Sequence, residues 1–427
     1  MHNLSSGFIR SFLLLAAVLS VLATSCRQES QHDAGHARPL PQRIYVWQRD
    51  WTAAVGTSLQ EGREALSGCV VLATEVEWRN GQPRAVRPDV DWLALRAWGK
   101  PVSAALRIAP YPGPFAEDGD TVRQLCALAR GMVAEAKAHG VALAELQVDF
   151  DCAQKKLAGY RLWVRQLRDA IAPLRMVLTT LPAWLGEREF PALVREVPGY
   201  VLQVHSIASP LGDARTMICD PALARRWVAM AERIGHVFEI ALPTYRSVVG
   251  YDAAGQLLGV ASDGVRPSWP AGTVVREYAT DAEAMADLIA EWSQKQPRHC
   301  QGLLWYRLPV SSDVSNWTWP TLRAVMAGRV PKQTWLVRMQ GENPVDLTLR
   351  NDGESPGPWQ GRVEVRWASP TRVVAEALRG WEVSLEGQRA VFSPASGKDV
   401  PLPPGSERAI GWLRLEPAVP VHAQTIP

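Results

Sequence analysis

Five residues near the middle of this chain, Gln147-Val148-Asp149-Phe150-Asp151, alternate between polar and apolar. In a β-strand that alternation puts Gln147, Asp149 and Asp151 on one face, and Leu146, Val148 and Phe150 on the other. Three polar groups on one strand face are costly to bury without partners, and two of these are carboxylates. Paired carboxylates can act as proton donor and as nucleophile or base in glycosidic bond cleavage. Similar separations recur along the chain. Glu75 and Glu77 share a phase, Arg107 stands opposite Leu106 and Ile108, and Gln203 and His205 fall together. Trp305 pairs with Arg307, Trp47 pairs with Arg49, and Tyr245 ends a run that has Glu239 deeper in it. Aromatic rings stack on sugar rings, while arginine grips hydroxyls or an acidic substituent through two parallel bonds.

These patterns define the candidates. The catalytic set is Asp149, Asp151, Glu75, Glu77 and His205. In it Asp151 is nucleophile or base, Glu77 or Glu75 is the acid, and Asp149 and His205 tune them. The substrate-binding set is Trp47, Arg49, Arg107, Gln203, Tyr245, Trp305 and Arg307. Each has a structural alternative. Asp149 and Asp151 can close a barrel top by pairing with Arg107 or Arg307, Glu75 and Glu77 can sit on a solvated rim, and His205 can be a hydrogen-bonded structural histidine. Trp47, Trp51 and Trp184 can be core. The chain has 18 tryptophans, several at strand ends, which tilts the balance toward stacking on carbohydrate.

The elements that must position these residues repeat. Short apolar strands are expected at 43–49, 69–77, 102–108, 146–151, 175–181, 200–206, 237–244 and 302–308, with amphipathic helices between them. One helix is expected over 122–139, stopped by Gly140. Another is expected over 156–171, with Leu157, Tyr160, Trp163, Val164 and Leu167 on one face. Asp220-Pro221 reads as the capped start of a third. Eight such units between 42 and 330 predict an α/β protein, a (β/α)8 TIM barrel, whose active sites lie at the C-terminal ends of the strands. A doubly wound open sheet is the rival, disfavoured because no glycine-rich phosphate turn follows the first strand. Interior layers draw on alternate strands, so Glu75 or Glu77, Asp149 or Asp151, His205, and Trp305 or Arg307 are expected in one layer at the mouth. The long stretch 246–276 is expected to hold a hairpin around Asp252-Ala253-Ala254-Gly255.

From 331 to 427 strands follow one another without helices, at 335–339, 345–350, 362–367, 381–385, 389–392 and 409–415. Turn signals such as Asn351-Asp352-Gly353 separate them. This part reads as a small immunoglobulin-like β-sandwich packed on the barrel as support, with a binding module as the alternative.

The N-terminus sets the compartment. Arg10 precedes an apolar run from Phe12 to Leu22, which is too short to span a bilayer and fits a signal peptide. Ala23, Thr24 and Ser25 then lead into Cys26, as in a bacterial lipobox, so residues 1–26 read as a lipoprotein signal with Cys26 lipidated. Residues 27–41 are a polar tether. Arg27 after the cysteine favours the outer membrane. A soluble domain anchored in the bacterial cell envelope by lipid alone is the expectation. A formal net charge of +3, with no basic cluster among aromatics, argues against nucleic acid. Five further cysteines, at 69, 126, 152, 219 and 300, show no C-x-x-C spacing, so a structural zinc site is not expected. Their odd number leaves at least one thiol free.

The segments Tyr45-Val46-Trp47-Gln48-Arg49, Gln147 to Cys152, Leu181-Pro182-Ala183-Trp184-Leu185, Leu202-Gln203-Val204-His205 and Ala241-Leu242-Pro243-Thr244-Tyr245 occur in order. Together they resemble the bacterial domain of unknown function 3142 family. The resemblance implies a barrel similar to glycoside hydrolases. The run Asp149-x-Asp151 also resembles the Asp-x-Asp-x-Glu strand end of chitinase-type barrels, but Ala153 stands in the place of the catalytic glutamate. The chitinase mechanism therefore does not carry over directly.

Three functions compete. The first is a glycoside hydrolase acting on a polysaccharide or oligosaccharide. The second is a non-catalytic lipoprotein that binds glycan or assists envelope assembly. The third is a metal-dependent hydrolase using Asp149, Asp151, Glu75 and His205. It is disfavoured by the lack of His-x-His and His-Glu-x-x-His motifs, and no cofactor is expected.

Overall fold

The structure, a computed structural model, describes residues 40–79, 82–205, 217–262, 268–355, 359–378, 380–395 and 402–426. The expected signal peptide, Cys26 and most of the expected tether lie outside the described residues, as does the end of the sixth expected strand, Ser206. No helix among the described residues is long and apolar enough to cross a membrane.

Eight parallel strands form a closed ring: β1 (Gln42–Val46), β2 (Gly68–Arg79), β3 (Val102–Ile108), β4 (Leu143–Phe150), β5 (Arg175–Thr180), β6 (Tyr200–Gln203), β7 (Phe238–Pro243) and β8 (Cys300–Tyr306). Neighbours in sequence pair in order, and β1 pairs with both β2 and β8, which closes the barrel. This closure excludes the open doubly wound sheet. β2 runs on beyond the ring and turns back as an antiparallel strand, Gln82–Val86.

The helices form where apolar residues recur at helical spacing. Leu157–Ile171 buries Leu157, Tyr160, Trp163, Val164, Leu167 and Ile171 against the strands. Asp120–Ala138 ends before Gly140, whose φ of 75° is the left-handed conformation glycine adopts freely. Asp220 caps Pro221–Ile234 by accepting from the Ala222 and Leu223 amides. One apolar layer, including Trp98, Trp163, Trp184 and Trp305, fills the space between strands and helices. Burying each large side chain contributes roughly 1.5–3 kcal/mol.

A second, thinner layer fills the ring: Tyr45, Val70, Ala105, Val177, Val201, Ala241 and Leu304. Below it lies a charged floor. Arg43 donates to Glu145 at 2.8 Å, to Ser103 at 3.3 Å and to Glu239. Gln147, fully buried, donates to Glu145 at 2.9 Å and accepts from the Tyr45 hydroxyl at 2.8 Å. Burial alone would lower the Arg43 pKa, but the charges of Glu239 and Glu145 more than reverse this. The polar phase of β4 thus begins as floor, with Glu145 and Gln147, and ends at the mouth, with Asp149.

Between β7 and the helix Ala282–Gln294 a three-stranded antiparallel sheet is inserted, with Arg246–Tyr251 between Leu257–Ala261 and Val274–Ala279. Its hairpin turns at Asp252, whose carboxylate accepts from the Ala254 and Gln256 amides, with Gly255 at φ 82°.

After the helix Trp319–Met326 the chain forms two four-stranded antiparallel sheets. Val345, Leu347, Leu349, Ile410 and Leu413 of one sheet pack with Val363, Val365, Ala390 and Phe392 of the other as one core. Two strands, Arg372–Ala377 and Val421–Ile426, are additional to the six read from sequence. The sandwich is tied to the last barrel helix at Glu354, whose carboxylate binds Arg329 through two bonds of 2.6 Å and whose carbonyl accepts from Thr321 at 2.5 Å.

Candidate functional site

The C-terminal ends of the strands surround a cavity of about 150 Å³. β1 contributes Tyr45 and, just past its end, Trp47. β3 contributes Arg107, and β4 contributes Asp149 and then Asp151. β5 adds Thr179, β6 adds Gln203 and then His205, and β8 adds Tyr306, while Ala241 and Tyr245 come from β7 and the residues after it. Strand alternation carries every other residue of each strand inward, and the tilt of the ring brings successive ends to one rim.

Asp149 is the most enclosed acid of the mouth. Thr179 Oγ1 donates to its Oδ1 at 2.5 Å, Gln203 Nε2 lies 3.4 Å from the same oxygen, and Arg107 Nε stands 4.0 Å from Oδ2. Burial, reinforced by the charge of Asp151, pushes its pKa up to about 6, against the pull of the Thr179 bond and Arg107. Asp151 lines the same cavity but is exposed. Loss of water around its carboxyl raises its pKa as well, with Arg107 acting in the opposite direction. Burial thus raises both carboxyls of the mouth, Asp149 to about 6.

Tyr306 is the hub of the aromatic wall. Its ring lies 5.5 Å from Trp47, 5.7 Å from Tyr45 and 5.6 Å from Tyr245, and it stacks on His205 at 6.0 Å. Burial raises the pKa of Tyr306 and pushes that of Tyr245 up to about 12, so both keep their hydroxyl protons at neutral pH. Burial lowers the His205 pKa to about 4, so the ring is neutral there. Its Nδ1 faces the Ala241 carbonyl at 3.4 Å.

Seven of the expected site residues line this cavity: Asp149, Asp151, His205, Trp47, Arg107, Gln203 and Tyr245. The other five do not. Glu75 is gripped by Arg49 at 2.6 and 3.0 Å and by Arg107 at 3.0 Å, and these partners outweigh burial and lower its pKa. These partners favour the ionised form of Glu75, and it stands outside the mouth cavity. Glu77 lies on the part of β2 that pairs with Gln82–Val86 beyond the ring, where it binds Arg79 at 2.9 Å. It does not line the mouth cavity. Arg49 and Glu75 belong to an outer groove that meets the mouth at Arg107.

Trp305 is fully buried in the layer between strands and helices, with its indole Nε1 donating to Gln42 at 2.8 Å. The expected phase of β8 is therefore wrong by one residue, and Leu304 and Tyr306 face inward instead. Arg307 binds Asp313 at 2.6 and 2.9 Å and the Ser262 carbonyl at 2.8 Å, and stands over the Tyr245 ring at 5.8 Å. It braces the inserted sheet and lines an adjoining cavity of about 620 Å³. Tyr306, Tyr45 and Thr179 also line the cavity, and the sequence pattern does not single them out. The signal available for Tyr306 was its place beside Trp305 at a strand end.

Among the described residues no group of three or more His, Cys, Asp or Glu is placed to hold a metal ion. The five cysteines at 69, 126, 152, 219 and 300 are free and buried. Burial raises the pKa of each, so none presents a ready thiolate.

Fold and mouth define a (β/α)8 barrel whose strand ends hold a carboxyl pair inside an aromatic wall. Residues 99–311, just under half of the chain, match the family described as Domain of unknown function (DUF3142). No curated protein matches the sequence. Among solved structures the chain is similar to the spore cortex-lytic enzyme SleL of Bacillus megaterium QM B1551, with 12% identity over 70% of this chain and 75% of that one, at a TM-score of 0.48. The Bacillus cereus SleL gives 11% identity over 68% and 74% of the two chains, at 0.46. A chitinase from Chromobacterium violaceum ATCC 12472 gives 15% over 68% and 98%, at 0.44.

Proposed function

We propose that this protein is a carbohydrate-active barrel that binds a polysaccharide or oligosaccharide at the mouth and cleaves it with the Asp149–Asp151 pair. The observation that carries this reading is the pair itself, two carboxyls with raised pKa values in one aromatic-walled cavity. Carboxyls whose surroundings split their protonation can divide the roles of acid and base. Asp149 holds the proton, and Asp151, at the open rim, acts as base or nucleophile. Trp47, Tyr306 and Tyr245 offer ring faces and edges to the sugar, and Gln203 and Arg107 offer hydrogen bonds to its hydroxyls. The test is release of reducing ends from a polysaccharide panel by the wild type, with Asp151→Asn in parallel. Release that persists undiminished in Asp151→Asn rejects the assignment.

A second reading is a glycan-binding protein without catalysis, and Ala153 favours it. The residue that follows Asp151 by two, where chitinase-type barrels carry their acid, has no ionisable group. On this reading binding survives Asp151→Asn and is lost in Trp47→Ala, and no product forms.

We place the protein in the bacterial cell envelope, with lipid on Cys26 and the outer membrane as its site. Palmitate labelling of the wild type, absent in Cys26→Ser, is the check. The C-terminal sandwich is assigned an immunoglobulin-like supporting role, in keeping with its anchorage at Glu354.

A further inference from the structure

Beside the mouth, and continuous with it through Arg107, runs a groove of about 370 Å³. Four arginines line it, Arg49, Arg79, Arg84 and Arg107, together with two glutamates, Glu75 and Glu77. Glu75 is shared by Arg49 and Arg107, and Glu77 is taken by Arg79. Arg84 is exposed and lies across the strand pair from Glu77, whose ion pair is with Arg79. Between the charges lie exposed Val86, on the same strand face as Arg84, and half-buried Ala109, a small apolar strip. A groove of this kind suits a ligand with an apolar ring face and an anionic edge. A guanidinium matches a planar carboxylate through two parallel bonds.

We infer that the groove is a specificity subsite for the carboxylate of a uronate residue, so that the glycan engaged at the mouth is an acidic one. The inference rests on the proposed glycan reading and narrows it. One sugar ring lies at Trp47 and Tyr306. A neighbouring uronate lies along Val86 and Ala109, with its carboxylate reaching Arg84 and Arg79. Glu75 is already occupied by two arginines, so it repels the incoming anion less than a free carboxylate would. A neutral polysaccharide gains nothing from these arginines.

The test uses the full chain and matched glycan pairs: polygalacturonate, alginate and glucuronoxylan, each against its carboxyl-reduced counterpart. A charge-assisted hydrogen bond favours the acidic member, so at low salt at least one acidic member should bind roughly tenfold or more tighter than its neutral partner. That ratio falls as salt rises. Arg84→Glu, a surface change that leaves the circular dichroism of the fold intact, should reduce the ratio about tenfold. A ratio near one in every pair that binds overturns the inference, as does a ratio that Arg84→Glu leaves unchanged. Competition by polyglutamate equal to that of the uronate would assign the groove to an acidic peptide and also overturns it. Neutral and acidic members binding equally, both lost in Trp47→Ala, would sink the uronate subsite alone. Binding to no glycan at all would remove the glycan reading and the subsite with it.

Discussion

Thr179 donates a 2.5 Å hydrogen bond to Asp149 across neighbouring strands, and that bond favours the ionised carboxyl that burial disfavours. The two influences set the protonation of the mouth. Removing the donor with Thr179→Val leaves burial and the Asp151 charge unopposed on that side. The Asp149 pKa should then rise above about 6. Carbon-detected NMR titration of the aspartate carboxyls reads this directly. An unchanged midpoint would mean that the threonine is a bystander.

Glu75→Gln should move the same midpoint the other way. It removes a nearby negative charge that raises the Asp149 pKa, and it frees Arg107 from its 3.0 Å contact. Arg107 can then close the 4.0 Å gap to Asp149. The pKa should fall, and opposite signs for Thr179→Val and Glu75→Gln in one titration series identify the network.

Stability carries the same signature. A carboxyl whose folded pKa is raised, from 3.8 to about 6 here, adds stability that is complete below its unfolded pKa and is lost as pH climbs through 6. Asp149→Asn should therefore stabilise the fold at pH 8, by up to about 3 kcal/mol, with the gain fading toward pH 4. His205 runs opposite. Its pKa is depressed to about 4, so its contribution is present above the unfolded value and is lost as pH falls toward 4. In Asp149→Asn that loss stands alone, and the melting temperature should drop more steeply below pH 6. Thermal melts from pH 4 to 8 decide the matter; a gain independent of pH would contradict the assigned shift.

The barrel floor offers a contrast within one ring. Arg43→Met leaves Glu145 and Glu239 buried without their partner, at a cost of roughly 3–5 kcal/mol. The triple variant Arg43→Met, Glu145→Gln, Glu239→Gln should recover much of that loss, because no uncompensated charge remains. Urea unfolding of both variants measures it. A triple variant no more stable than the single one would show that packing, and not charge, holds the floor.

The strand sequence of the ring was legible because each strand separates apolar from polar residues, as β4 does with Val148 and Phe150 against Gln147 and Asp149. β8 defeated that reading. Leu303, Leu304 and Trp305 are all buried, since a barrel strand has apolar surroundings on both faces. With no polar alternation to fix the phase, Trp305 and Tyr306 could not be told apart. The surroundings of Glu75 were hidden for another reason. Its place near the mouth was readable, but its two arginines come from β3 and from the segment after β1, and only the closed ring brings them together. Arg372–Ala377 and Val421–Ile426 are not legible as strands in the sequence because small and charged residues dilute their β pattern, and their pairing with Glu407–Glu416 and Arg362–Trp367 is what makes them strands.

The central claim is that the mouth acts on a glycan through Asp149 and Asp151. The direct measurement is reducing-end release and glycan binding, scored together on one polysaccharide panel for the wild type, Asp151→Asn and Trp47→Ala. The account predicts release by the wild type on at least one glycan, binding without release by Asp151→Asn, and neither by Trp47→Ala. Release that survives Asp151→Asn, or a wild type that neither binds nor cleaves any member, would contradict it.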